Sequence, residues 1–126
     1  MHVRDEQGFG KFERLCSKND IQELFTKGSS FYFAPLRVKY LRAEGDSHRV
    51  LISVPKRLFK KAVDRNLVKR RIREAYRRNK GSILSLPSMH IAFVVAKSDP
   101  IDQSAIDKAV QVILTKLGKD ESDIKH

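Results

Sequence analysis

KRLFKKAVDRNLVKRRIREAYRRNK, Lys56–Lys80, decides how this chain folds and what it can face. It holds twelve of the 26 Lys and Arg residues against two acids, Asp64 and Glu74, and so nearly all of the net charge of +11. From Ala62 the stretch has helical rhythm. Val68, Ile72, Ala75 and Tyr76 fall at i, i+4, i+7 and i+8 and share one face. Arg65, Lys69, Arg73 and Arg77 recur every four residues, with Asn66 and Arg70 beside them, and form a second, cationic face. Like charges at i, i+4 cost an isolated helix about 0.2–0.5 kcal/mol per pair. A polyanion relieves that cost, and duplex or folded RNA is one. A solvated surface helix can also carry a run of charge. The one-sidedness and the shortage of interleaved acids favour a nucleic-acid face.

The remainder is close to charge-balanced and reads as scaffold. A chain of 126 residues makes one domain with one core. A hydrophobic share of 40%, a charged share of 33% and a pI near 10.0 suit a globular protein with a polyelectrolyte partner. No apolar run approaches the length of a membrane span, and MHVRDEQGFGKFERL has no hydrophobic signal core. Cys16 is the lone cysteine and has no internal disulfide partner, which fits a reducing cytoplasm.

Outward from the basic stretch, Ser17–Gly28 reads as a short helix. Ser17 and Asp20 have capping-box spacing, Ile21, Leu24 and Phe25 form the apolar face, and Gly28 is placed for a left-handed stop. Ser29–Ala34 reads as a connector. Leu36–Ala43 alternates as a strand, Glu44–His48 turns, and Arg49–Val54 returns, so the two strands are predicted to pair as an antiparallel hairpin. After a loop over Lys80–Ser88, the apolar run Met89–Ala96 predicts a strand covered on both faces. Asp102–Leu117 predicts an amphipathic helix stopped by Gly118. Phe9, Phe12 and Leu15 read as an arm laid on a domain of 9–118, with 1–8 and 119–126 as flexible tails. The order α-β-β-α-β-α is that of an α+β domain, with a β-α-β crossover through the basic helix if its two strands are parallel.

Catalytic machinery is not legible. His2, His48, His90 and His126 lack zinc spacing with each other or with Cys16. There is no glycine-rich phosphate loop and no G-x-S-x-G turn. Glu44 with Asp46, and Asp120, Glu121 and Asp123, sit in a turn and a tail and read as solubilising. No catalytic residue and no metal ligand is assigned, so any chemistry is expected from a partner. Composition alone would choose a ribosomal protein or another basic RNA-binding module.

Lys56-Arg57, Ala62-Val63, Arg65-Asn66, Lys69-Arg70, Arg73-Glu74 and Arg77, at these spacings, resemble the protein subunit of bacterial ribonuclease P. The resemblance extends from about Phe9 to Leu117. It implies an RNA-binding subunit of the ribonucleoprotein endonuclease that removes the 5′ leader from precursor tRNA. The catalytic RNA would carry the active site and its Mg2+, and neither a membrane nor DNA is an expected partner. It implies that Lys56, Arg57, Lys61, Arg65, Asn66, Lys69, Arg70, Arg73 and Arg77 bind that RNA. It further implies that Ile21, Phe25, Arg37, Lys39 and Tyr40 hold the single-stranded leader, and that the β-α-β crossover is left-handed. Two positions depart from the family pattern. Leu67 replaces an arginine, with Arg70 and Arg71 placed to compensate, and Ile21 stands where an aromatic is common. One missing ring removes a stacking contact of about 1–3 kcal/mol per base.

Overall fold

The first helix starts where its cap predicts. The Ser17 hydroxyl accepts from the Asp20 backbone N–H at 3.3 Å, and α1 runs Lys18–Lys27. The computed structural model describes residues 14–45 and 47–124, so the arm residues Phe9 and Phe12 lie outside the described residues. Gly28 ends α1 without a left-handed turn: its φ is −72°. Close approach is what demands glycine there. A Cβ would lie 2.5 Å from the Leu24 carbonyl oxygen and 2.9 Å from that of Tyr40.

Four strands follow: β1 (Ser29–Phe33), β2 (Leu36–Arg42), β3 (Arg49–Ser53) and β4 (Met89–Val95). They form one sheet in the order β1-β2-β4-β3. The predicted hairpin of β2 with β3 does not form. β4 lies between them, antiparallel to β2 and parallel to β3. The reason is the apolar run itself: a strand hydrophobic on both faces is most stable at the centre of a covered sheet. The segment predicted as a connector is instead β1, and it makes the hairpin with β2. Its short F-Y-F alternation turns Phe31 and Phe33 towards the core and Tyr32 to solvent.

β3 reaches β4 through α2 (Ala62–Asn79) and a 3₁₀ turn, Lys80–Ile83. This is the parallel β-α-β connection that the element order allowed. The four residues that share the apolar face of α2 are all buried, and Tyr76 meets Phe93 of β4 edge-to-face at 6.2 Å. Of these, Val68 and Ile72 each contribute about 1.5–3 kcal/mol on burial. α3 (Gln103–Ile124) packs beside α2 through Ile106, Ala109, Val110, Ile113, Leu114 and Leu117. It does not stop at Gly118, and the backbone of the predicted tail is helical to Ile124. Gly118 faces the 3₁₀ turn instead, where a Cβ would meet the Ser82 carbonyl oxygen at 3.1 Å.

The sheet therefore has two unlike faces. Leu36, Val38 and Tyr40 point to α2 and α3. Arg37, Lys39 and Leu41 point to the other side, where α1 packs through Leu24 over Ala92, Leu41 and Leu51.

Candidate nucleic-acid interface

α2 presents two flanks of different character. On one flank its cations are tied to α3, to Ile101 just before it, or to Glu74 of α2 itself. Arg71 donates to the Ile101 carbonyl oxygen at 2.8 Å, and Arg78 pairs with Asp107. Glu74 accepts from Arg77 and also pairs with Arg78 at 3.4 Å. The Glu74 carboxyl is held below the usual carboxylate range, first by the hydrogen bond from Arg77 and against a smaller opposing effect of burial. Arg77 is raised in turn by that bond. Arg77 is thus pinned within the chain, and the free ridge stops short of it. Arg71 is also turned away, so of the two residues placed to compensate for Leu67 only Arg70 is exposed.

On the other flank lie Lys69 and Arg73, with Asn66 and Arg70 on the outward face. Among the described residues none of these four makes an ion pair. Arg73 is depressed from the ordinary guanidinium value by its half-burial, then by the like charges of Arg14 and Arg70. It remains a cation, as guanidinium does at any physiological pH. Arg14 reaches this place because the chain before α1 lies beside β3. Arg14 bridges Val50 in parallel, and the Leu15 N–H donates to the Val50 carbonyl oxygen at 2.9 Å. Spacing within α2 gives no hint of Arg14, since its proximity comes wholly from tertiary structure.

At the entrance of α2, Lys56, Arg57 and Lys61 are exposed. Arg65 is half-buried, and its Nη1 donates to the carbonyl oxygens of Phe59 (2.8 Å) and Lys60 (3.0 Å). Helix α2 has no side-chain cap at Lys61, so Arg65 fastens the approaching loop to the first turn. Its role is divided between holding that loop and facing outward.

The residues assigned to a single-stranded ligand fall into two groups. Phe25 is 37% exposed on α1. Lys39 donates from Nζ to the Phe25 carbonyl oxygen at 3.2 Å and lies 5.9 Å from its ring centroid. Arg37 stands two residues along on the same face, with its guanidinium 5.4 Å from the Tyr32 ring centroid. Ile21 is half-buried against the cluster of Leu15, Leu24 and Ala92, as packing for α1. Tyr40 does not belong with these residues. It is 8% exposed, lies on the opposite face of the sheet, and packs edge-to-face with Phe31 at 6.1 Å. A ring enclosed there offers no face to a base.

Among the described residues no group of three or more His, Cys, Asp and Glu is placed to hold a metal ion. Among them, too, no helix is long and apolar enough to cross a membrane. Cys16 is exposed and unpaired.

This α+β domain, with one cationic flank free of ion pairs among the described residues and an aromatic–cationic surface on the other face of its sheet, belongs to the class of small basic domains suited to polyanions. Its family is narrower than that. The family model described as Ribonuclease P matches residues 9–118, and the chain belongs to this family. As a member it is a subunit of the ribonuclease P endoribonuclease, with a role in tRNA processing. The ribonuclease P protein component of Porphyromonas gingivalis is 38% identical over 120 residues, which cover 87% of this chain and 86% of that protein. The corresponding protein of Clostridioides difficile is 31% identical over 109 residues, covering 86% and 94%. Among solved structures, the Staphylococcus aureus RNase P protein superposes with a TM-score of 0.73 at 29% identity, covering 86% of this chain and 97% of that one. The Thermotoga maritima protein gives 0.71 at 28% identity, covering 82% and 96%.

Proposed function

We propose that this subunit works by charge and position while the RNA subunit of ribonuclease P performs the cleavage. The uncovered flank of α2 supports this reading most directly. Lys69, Arg70 and Arg73, joined by Arg14, form a strip of positive charge with no carboxylate of the described chain to neutralise it. That strip suits the phosphate backbone of the catalytic RNA, and guanidinium can grip phosphate with two donors at once. Asn66 adds a donor and an acceptor for a 2′-hydroxyl. Lys56, Arg57 and Lys61 extend the charge at the helix entrance.

The groove between α1 and the open face of the sheet is proposed to hold the 5′ leader of precursor tRNA. Phe25 supplies a stacking surface, and Lys39 and Arg37 supply charge for the leader backbone. Mature tRNA has no leader, so these contacts discriminate precursor from product. Mg2+ belongs with the RNA in this reading. We infer a cytoplasmic setting, which a lone cysteine suits.

The decisive experiment is reconstitution. Precursor cleavage by the catalytic RNA is followed with and without this protein at low and high Mg2+. The expected result is a lower Mg2+ requirement and a greater preference for precursor over mature tRNA when protein is present. No change in rate, Mg2+ requirement or preference overturns the proposal.

A further inference from the structure

With Ile21 packed under α1 and Tyr40 enclosed in the core, Phe25 is the one ring left of those the resemblance assigned to the leader groove. We propose that Tyr32 is a second stacking station, placed one strand beyond Phe25, for a longer run of unpaired ribonucleotides. This rests on the leader-binding reading of the groove.

The placement follows from the ladder. Tyr32 of β1 pairs directly with Arg37 of β2, and opposed residues of an antiparallel pair project from the same face. Arg37 and Lys39 share that face because they are two residues apart. Lys39 in turn reaches Phe25 of α1. Phe25, Lys39, Arg37 and Tyr32 therefore follow one another across one open surface, as ring, ammonium, guanidinium, ring.

Tyr32 is not needed by the core. It is 42% exposed, whereas its neighbours Phe31 and Phe33 pack against the interior. The Arg37 guanidinium beside the ring is partnered by no carboxylate among the described residues. Strand propensity alone would account for a tyrosine at an edge. It does not account for a ring–cation pair repeated twice on one face, at Phe25–Lys39 and Tyr32–Arg37. Surfaces that hold single strands combine these two elements: a ring on which any base can stack, and a cation for the adjoining phosphate. Such stacking is tolerant of base identity, so the station reads the length of an unpaired segment rather than its sequence.

The test uses the reconstituted holoenzyme, precursor tRNAs with leaders of graded length, and mature tRNA as reference. Tyr32→Thr removes the ring and keeps a residue that favours strands, and Tyr32→Phe keeps the ring. Phe25→Ala reports on the groove itself. Expected is a wild-type affinity that keeps rising with leader length beyond the point where Tyr32→Thr levels off. At the longest leader Tyr32→Thr should bind about tenfold more weakly, with Tyr32→Phe matching wild type and mature tRNA unaffected. If Phe25→Ala weakens leader binding and Tyr32→Thr does not, the second station is overturned and the groove stands. If neither matters, the leader reading falls and the station with it. Equal loss for mature tRNA and precursor marks a structural effect of Tyr32→Thr and also overturns the proposal.

Discussion

The guanidinium of Arg65 donates to the carbonyl oxygen of Phe59 at 2.8 Å, tying the cationic helix to the loop that feeds it. A second bond from the same Nη1 reaches the Lys60 carbonyl oxygen at 3.0 Å. One member of the basic stripe thus spends donors on its own chain, while Arg70 on the outward face does not. The two are separable by mutation. Arg65→Ala should lower unfolding free energy by about 1–2 kcal/mol, since hydrogen bonds from charged donors are worth about 1.5–3 kcal/mol and half-exposure reduces that. Arg70→Ala should leave stability within about 0.5 kcal/mol of wild type and act only on RNA affinity. Denaturant midpoints at constant m-value, set beside RNA titrations of both variants, check the division.

Salt dependence should reveal which cations meet phosphate. Replacing Lys69, Arg70 and Arg73 by Ala should flatten the log–log dependence of RNA affinity on salt by about one unit per lost contact. Arg77→Ala should change it less, because Glu74 already holds that guanidinium. Glu74→Gln should do the opposite and steepen the slope by about one unit as Arg77 is released. The pH behaviour has a definite sign. Glu74 titrates below its ordinary value in the folded chain, so the pair is intact above the unfolded value and opens as pH falls through the lowered one. The salt slope of wild type should therefore steepen on acidification, while that of Glu74→Gln, already steep, should not change with pH.

The basic helix was legible because its buried face obeys a period of 3.6 over four residues, and the same holds for the face of α3. Period 2 likewise shows which residues of β2 share a face. It puts Tyr40 with Leu36 and Val38, against Arg37 and Lys39, so the alternation already argues against Tyr40 in the groove. What alternation does not encode is which strands are neighbours. β4 separates β2 from β3 because two layers of cover are available only at the centre of the sheet, a property of the assembled domain. The ties of Arg71 to Ile101 and Arg78 to Asp107 span about thirty residues and were invisible for the same reason. The free part of the ridge is in consequence shorter than the repeat of arginines suggests.

Gly28 couples the end of α1 to the strand beneath it. A methyl group there would meet the carbonyl oxygens of Leu24 and Tyr40 at 2.5 and 2.9 Å, and both are backbone atoms that cannot step aside cheaply. Gly28→Ala should destabilise the domain by about 1–3 kcal/mol, as overpacking does. It should also push α1 from β2 and stretch the bond from Lys39 to Phe25. The expected signature is weaker binding of precursor with unchanged binding of the catalytic RNA, measured on the folded fraction. Equal loss on both RNAs contradicts the idea that α1 serves the groove alone.

His48 is the one buried polar side chain among the described residues, and it explains how the chain crosses from β2 to β3. Its Nδ1 accepts from the Met89 backbone N–H at 3.1 Å, which leaves Nε2 to donate to the Ile83 carbonyl oxygen at 2.6 Å. The ring is therefore the neutral tautomer protonated on Nε2, and it joins the 3₁₀ turn to the first residue of β4. Both backbone groups lie next to fully buried side chains, so water replaces the imidazole poorly. His48→Ala should leave two backbone groups unsatisfied and cost about 2–4 kcal/mol. His48→Gln can reproduce one of the two bonds and should recover part of that loss. Thermal and denaturant unfolding of both variants measure the difference. Because the ring bonds the 3₁₀ turn and β4 rather than any cation of the α2 stripe, the salt slope for RNA binding should be unchanged in whatever fraction remains folded, and a changed slope would refute a purely structural role.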